Sequence, residues 1–255
     1  MNYPTEVTDA VELIWGEGML SPGGPEKVAQ MLKGIDLSGS RVLDIGSGLG
    51  GVDVLLAAKY RAATVIGIDI EPHLIKSARD LAARKGLASR VIFQLVAPGR
   101  LPFADASFDL VFSKEAMLHI ADKPALYVEV LRVLKPGGWF IASDWLWSEG
   151  AAESGVVHAW LSESLSTFAF TTPSAALDAL IDAGFAEPTI TDFRHELQEA
   201  NRKEVTLLEG PARQKLAAIV GTEVAEGRFA SAKGRQAALD SGDLIPCYLR
   251  GRRLS

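Results

Sequence analysis

Residues 42–51 read Val-Leu-Asp-Ile-Gly-Ser-Gly-Leu-Gly-Gly. An apolar stretch with the look of a buried strand runs into a glycine turn, and a helical pattern follows from Val52. Glycines belong at such a turn because the backbone must bend sharply and approach a ligand without Cβ atoms in the way. The Gly-x-Gly-x-x-Gly spacing alone fits nicotinamide dinucleotides equally well. Two carboxylates narrow it. Asp69 ends the next strand-like run, at the spacing where it can accept both hydroxyls of a ribose. Asp44 stands two residues before the first glycine, which is atypical of nicotinamide fingerprints.

Outward from this turn the hydrophobic period alternates between strand-like and helix-like from residue 25 to about residue 195. That pattern predicts a parallel sheet with crossover helices. Strands are expected at Arg41–Ile45, Thr64–Asp69, Val91–Val96, Asp109–Ser113 and Trp139–Trp145. Helices are expected over Val52–Arg61 and Pro72–Arg84, with Gly86 as a stop to the second. A third starts at Asp122-Lys123-Pro124, with the acid near the N-cap and proline in the first turn, and ends before Pro136-Gly137-Gly138. Leu146–Thr171 breaks the rhythm and reads as a helical insertion. Thr172-Pro173 opens another helix that Gly184 closes, and Pro188–Phe193 and Leu244–Leu249 read as final strands with helices between them. Residues 1–24 read as an N-terminal helical cap, 25–145 as a cofactor-binding core and 172–255 as the part that completes the sheet, all within one domain of 1–255.

The 255 residues are 48% hydrophobic, enough for a large core, and carry a net charge of −6. Phosphate contacts need clustered Lys and Arg, so nucleic acid is not an expected partner. The C-terminal Arg250, Arg252 and Arg253 read as a solvated tail. A single cysteine, Cys247, excludes an intramolecular disulfide and a cysteine zinc site. No leader peptide or membrane-length apolar run is visible, which predicts a soluble cytoplasmic protein, monomeric or homodimeric.

The ordered runs VLDIGSGLGG, GIDI, LPFADASFDLVFS and LKPGG resemble the motifs of class I S-adenosylmethionine methyltransferases over about residues 40–145. The resemblance implies a doubly wound, Rossmann-like, mostly parallel sheet of seven strands, the last antiparallel. It implies S-adenosylmethionine as cofactor and S-adenosylhomocysteine as product. The methionine end would lie at Gly46 and Gly48, the ribose on Asp69, the adenine near Ile70, Val96 and Ala97, and Ser113 beside the methionine group. The family usually carries an acid at Ala97, so only main-chain groups would meet the adenine amine there.

Open α/β sheets bind ligands beyond the carboxyl ends of their strands, where this chain has Ser113-Lys114-Glu115-Ala116-Met117-Leu118-His119. Glu115 and His119 are four apart and would share a face on a helical turn. A histidine there suits removal of a proton from a methyl acceptor. By spacing alone a surface ion pair is an equal alternative, and a metal site lacks a third ligand. The stretches NYPTEVTDAVELIWGEGMLSPGG and SKEAMLHI are also similar to phosphoethanolamine N-methyltransferases. That likeness pairs Tyr3 with His119 to close the cap and assist deprotonation. It places Glu115 on the acceptor amine, and Ser21 in a turn that touches both ligands.

The likeness thins after residue 145. Where that family holds phosphate with tyrosines and an arginine, this chain has Trp145, Ser162, Ser166 and Phe168, and no Lys or Arg occurs from residue 136 to 193. Phosphate needs charge-assisted donors, so this stretch is not built for a dianion. Arg235, Arg250 and Arg252 are the remaining candidates for an anion contact, or else a solvated edge. Trp145 and Phe168 are expected as aromatic walls of the acceptor pocket. The expected activity is methylation of a small molecule, foremost at an amine nitrogen, with oxygen or carbon as the alternative.

Overall fold

In the computed structural model the described residues are 8, 11, 12, 14–162 and 167–254. The element order begins with helix α1 (Gly24–Met31), strand β1 (Arg41–Ile45), α2 (Gly51–Ala58), β2 (Thr64–Asp69), α3 (Pro72–Arg84), β3 (Val91–Leu95) and β4 (Phe108–Lys114). It continues with α4 (Lys123–Val133), β5 (Leu134–Trp147), α5 (Gly155–Ser162), α6 (Pro173–Ala183) and β6 (Ala186–Asp192), then α7 (Arg194–Glu209), α8 (Pro211–Val220), α9 (Thr222–Asp240) and β7 (Leu244–Arg252). The strands form one seven-stranded sheet in the order β3-β2-β1-β4-β5-β7-β6. The pairs among β1 to β5 are parallel, and β7 runs antiparallel to both β5 and β6.

The continuous apolar reading of β1 follows from burial on both faces. Leu43 and Ile45 point into a core shared with Tyr127, Phe140 and Leu180, on the side of α4 and α6. Val42 points to the other side, among Val28, Leu56 and Ile75 from α1, α2 and α3. The strand order reverses between β1 and β4. Loops leaving their carboxyl ends diverge there and open a crevice. Helices α7 to α9 form a third layer with its own cluster around Leu208, Leu216 and Ala232.

Local sequence signals account for several boundaries. The Asp122 carboxylate accepts the Ala125 N–H at 3.0 Å and starts α4, and Thr172 caps α6 in the same way. Gly184, at φ 98°, ends α6 in the left-handed conformation. Other boundaries differ from the sequence reading. Helix α2 stops at Ala58, and Arg61 takes a left-handed φ of 58° on the way to β2. Strand β5 begins at Leu134 and absorbs Pro136-Gly137-Gly138, because Leu134 already pairs with Phe108 before a register shift. The described part of the insertion after β5 holds only the turn Ala151–Glu153 and α5, and the larger helical addition lies between β6 and β7.

The C-terminal arginines are not a solvated tail. Arg250 and Arg252 pair along β7, and Arg253 donates to the carbonyls of Leu131, Arg132 and Leu134 at the end of α4. Those carbonyls have no partner within the helix, so a guanidinium is a natural cap for them. Among the described residues no helix is long and apolar enough to cross a membrane.

The Asp122 cap gives a stability test. Asp122→Ala is expected to lower the unfolding free energy by about 0.5–2 kcal/mol. In urea the midpoint should fall with an unchanged slope, and Asp122→Asn should retain most of the stability.

Candidate active site

The β1–α2 turn is pressed against its neighbours. The N–H groups of Gly46 and Ser47 both donate to the Ile68 carbonyl, at 2.8 and 3.0 Å. Gly46 has φ 75°, and a Cβ there would lie 2.1 Å from the Cβ of Ala116. Gly48 has φ 55°, and its Cβ would meet Leu20 at 2.8 Å. The glycines therefore let the β1 turn, the segment after β4 and the N-terminal segment converge. Asp69 braces the turn by accepting the N–H of Gly48 and that of Glu71, both at 3.0 Å.

A cavity of about 210 Å3 lies over this turn. Ile70 and Val96 line it, as do Asp44, Asp69 and the glycine turn, together with Ser21, Lys114, Glu115 and His119. Asp44 is buried beneath it, and burial pushes its carboxyl up to about 8. Oδ1 of Asp44 and Oγ of Ser47 are buried with no hydrogen-bond partner among the described residues. Two cavity-lining polar groups thus wait for a polar ligand.

At the opposite end, Glu115 departs from the helical turn expected of it. Its φ is 54°, its N–H donates to the Ser143 carbonyl at 2.9 Å, and a 3-10 turn over Met117–His119 follows. Glu115 and His119 are therefore not neighbours on one helical face. They come to the cavity separately, Glu115 through a left-handed kink and His119 through the turn. The kink buries the carboxylate, whose side chain is 2% exposed.

The charge around Glu115 is the main feature that spacing did not foretell. Lys27, from α1, forms a buried ion pair with Oε1. The Trp145 indole N–H donates to the same oxygen at 3.3 Å. Lys114 Nζ stands 4.0 Å from Oε2 and donates to the carbonyl and hydroxyl of Ser21. Burial by itself would raise the Glu115 carboxyl. The charges of Lys27 and Lys114 outweigh burial and hold it at about 2. Burial lowers the Lys114 ammonium to about 8 despite the attraction of Glu115.

His119 is held by its surroundings. Its Nδ1 lies 2.9 Å from the Thr167 carbonyl, and its ring stacks on Phe168 at 5.5 Å. A carbonyl only accepts, so Nδ1 carries the proton and Nε2 keeps its lone pair. Burial disfavours the imidazolium and lowers the pKa, the Thr167 contact opposes this, and the charge of Lys123 adds to the lowering. Lys123 also fixes the turn, because its ammonium donates to the Met117 carbonyl and to Asp144. Asp144 in turn accepts the Trp145 N–H at 2.8 Å.

Of the residues expected at the site, Ser21, Gly46, Gly48, Asp69, Ile70, Val96, Glu115 and His119 line one cavity. Ala97 and Ser113 are not among its lining, and the Ser113 hydroxyl is spent on the Ile45 carbonyl at 2.9 Å. Trp145 and Phe168 sit in an aromatic cluster with Trp160 and Phe170, one layer behind the cavity. Tyr3 and Ser166 lie outside the described residues. The arginines considered for an anion contact are engaged elsewhere. Arg235 is buried on Asn201 and Glu204, Arg250 binds the Lys33 carbonyl, and Arg252 binds the Gly137 carbonyl. Lys27 and Lys114 were missed. Lys114 borders the quoted SKEAMLHI run, but a charged residue at a strand end reads as solvated, and nothing local in α1 points Lys27 inward. Among the described residues no group of three or more His, Cys, Asp or Glu is placed to hold a metal ion.

Residues 36–201 match the family model described as a methyltransferase domain. The chain belongs to this methyltransferase domain family. The chain is 37% identical over 135 residues to phosphoethanolamine N-methyltransferase 1 of Arabidopsis thaliana, an alignment covering 52% of the chain and 27% of the plant protein. It is 38% identical over 120 residues to the chloroplastic tocopherol O-methyltransferase of the same plant, covering 47% of the chain and 34% of that relative. In fold it is similar to a Haemonchus contortus phosphoethanolamine N-methyltransferase 2 solved with phosphomonomethylethanolamine and S-adenosylhomocysteine. The TM-score is 0.87 at 22% identity, over 100% of this chain and 59% of the other. The chain thus spans only part of the length of these relatives.

The residues present fit S-adenosylmethionine, the cofactor of this family. The glycine turn is a cradle that a Cβ would fill, and Asp44 and Ser47 offer unpartnered polar atoms beside it. Asp69 presents a carboxylate braced by backbone N–H groups.

The Lys123–Asp144 pair behind the His119 turn yields a second test. Lys123→Met should cost about 3–5 kcal/mol, because it leaves Asp144 buried without its cation. The double change Lys123→Met/Asp144→Leu should recover most of that loss in thermal or urea unfolding.

Proposed function

We propose that this methyltransferase transfers a methyl group from S-adenosylmethionine to a nitrogen of a small amine, releasing S-adenosylhomocysteine. When bound, S-adenosylmethionine supplies an electrophilic methyl group on a sulfonium sulfur. The chain's own tasks are to hold that cofactor, align the acceptor and remove the acceptor's proton. We assign the ribose to Asp69, the methionine end to Gly46, Gly48 and the buried Asp44, and the adenine to the wall of Ile70 and Val96, without the Ala97 expected beside them. Ser113 positions the β4 end through β1, and Ser21 borders both ligands.

The observation that carries the reading is the state of His119. Its Nδ1–H is committed to the Thr167 carbonyl, so Nε2 is the free base at the cavity. Burial keeps the ring uncharged near neutral pH. Glu115 Oε2 has no hydrogen-bond partner among the described residues and is suited to accept an N–H of the acceptor. Tyr3 is assigned, with His119, to closing the cap. Trp145 and Phe168 back the site through Glu115 and His119, which they touch. The likeness to the plant N-methyltransferase supports nitrogen as the acceptor atom.

Oxygen is the second reading. Lys27 already answers the charge of Glu115, so the site does not require a cationic acceptor, and the tocopherol O-methyltransferase shows a comparable likeness. A panel of amines and phenols with radiolabelled cofactor separates the readings.

Asp69→Ala should weaken S-adenosylhomocysteine binding by about 1.5–3 kcal/mol, the worth of a hydrogen bond to a charged group. Calorimetry checks this, and an unchanged affinity would overturn the ribose assignment. His119→Ala should lower turnover by about 100- to 10,000-fold and leave cofactor affinity near normal. The wild-type kcat/KM should fall as pH drops through a midpoint below 6.5, because burial lowers the imidazole and only the neutral ring accepts a proton. A midpoint at or above 6.5, or no acidic limb, would remove His119 as the base.

A further inference from the structure

The acceptor end of the cavity contains more positive than negative charge. Two ammonium groups, Lys27 and Lys114, and one carboxylate, Glu115, are buried there, with side-chain exposures of 6%, 4% and 2%. Lys27 lies on Glu115 and 4.0 Å over the Phe193 ring, so its charge is taken up within the protein. Lys114 shares the single Glu115 carboxylate with Lys27, at the longer distance. Two of its three N–H donors are placed, on the carbonyl and hydroxyl of Ser21, and its nearest carboxylate oxygen is 4.0 Å away. Lys114 and Ser21 both line the cavity.

The other carboxylates do not cancel this charge. Asp44 faces the cofactor end, and burial raises its carboxyl to about 8, which weakens it as a counter-charge. Glu196, the other carboxylate felt by Lys27, is exposed on α7 and screened by solvent. Two buried ammoniums that share one carboxylate leave a net positive charge in a closed site, and a ligand that supplies a second anion offsets its cost on binding.

We propose that the methyl acceptor carries a carboxylate next to its nucleophilic atom, that Lys114 receives this carboxylate, and that Lys27 is the specificity-determining residue that makes the charge available by occupying Glu115. This rests on the reading that the Glu115–His119 end of the cavity receives the acceptor. A carboxylate suits the site better than a phosphate dianion, because one ammonium with one unplaced donor offers a single charge and a single hydrogen bond. The same Lys27 works against simple cationic amines. With the Lys27 ammonium on Oε1 of Glu115, the carboxylate charge is already answered, and Oε2 offers an acceptor N–H a hydrogen bond rather than an unshared ion pair.

The test uses matched probes on the protein loaded with S-adenosylhomocysteine. Sarcosine is compared with sarcosinamide, and salicylate with salicylamide, by calorimetry. Each pair differs in the carboxylate alone, and the pairs present nitrogen and oxygen nucleophiles. Within at least one pair the carboxylate form should bind about 10- to 100-fold more tightly, the ratio expected of one charged hydrogen bond. Lys114→Met should abolish that preference by weakening the carboxylate form far more than the amide form, and Lys114→Arg should restore part of it. Lys27→Met should reduce the preference and improve binding of unsubstituted methylamine. Equal affinities within both pairs, failure of both carboxylates to bind, or tighter binding of phosphoethanolamine than of sarcosine would overturn the proposal. Because these are binding ratios, they stand apart from the turnover loss in His119→Ala, which tests the reading of the site as a methyl-transfer centre.

Discussion

The ion pair between Lys27 and Glu115 is the interaction on which the proposed acceptor end of the cavity depends. It reaches from α1, before the first strand, to the residue after β4. By doing so it fixes the N-terminal segment over the carboxyl edge of the sheet, where the cavity forms. A buried ion pair of this kind contributes little net stability, because desolvation offsets most of the attraction between the charges. Its effect is on specificity. It allows a carboxylate to stay ionised in a closed site and decides that the charge left over is that of Lys114.

The second constraint is steric. Gly46 and Ala116 are so close that any side chain at residue 46 would collide with the Ala116 methyl. That contact brings the β1 turn and the β4 turn together, so that the cofactor half and the acceptor half open into one cavity. The left-handed kink at Glu115 follows from it. The chain must turn immediately after β4 to pass Gly46, and this turn sends Glu115 inward to Lys27 while the next residues carry His119 to the rim. Behind the rim, Lys123 and Asp144 hold the His119 turn and Trp145 to the same buried pair, which couples the proposed base to the wall behind Glu115.

The sheet was legible in the sequence because its signals are local. Alternation of period, the glycine turn after Ile45, the Asp122 and Thr172 caps and the Gly184 stop each act within a few residues. The grouping of Gly46, Gly48 and Asp69 at one cavity was legible for the same reason, since they lie on consecutive elements. The acceptor end was read only in part. Glu115 and His119 do reach one cavity, but their helical spacing was the wrong geometry, because the contact between Ala116 and Gly46, seventy residues apart, overrides local preference. Lys27 and Lys114 were not found, since only tertiary packing turns a lysine of a short helix, or of a strand end, into a buried charge. Trp145 and Phe168, expected as walls of the acceptor pocket, lie a layer deeper, packed on Trp160.

Lys27, not the acceptor, keeps Glu115 ionised. Carbon-13 NMR of labelled glutamate side chains, on the protein without acceptor, measures this directly. The account predicts that the Glu115 carboxyl shows no titration from neutral pH down through the ordinary glutamate midpoint of 4.5, and that its midpoint rises in Lys27→Met. A Glu115 that titrates at its ordinary value in the wild type, unmoved by the loss of Lys27, would contradict it.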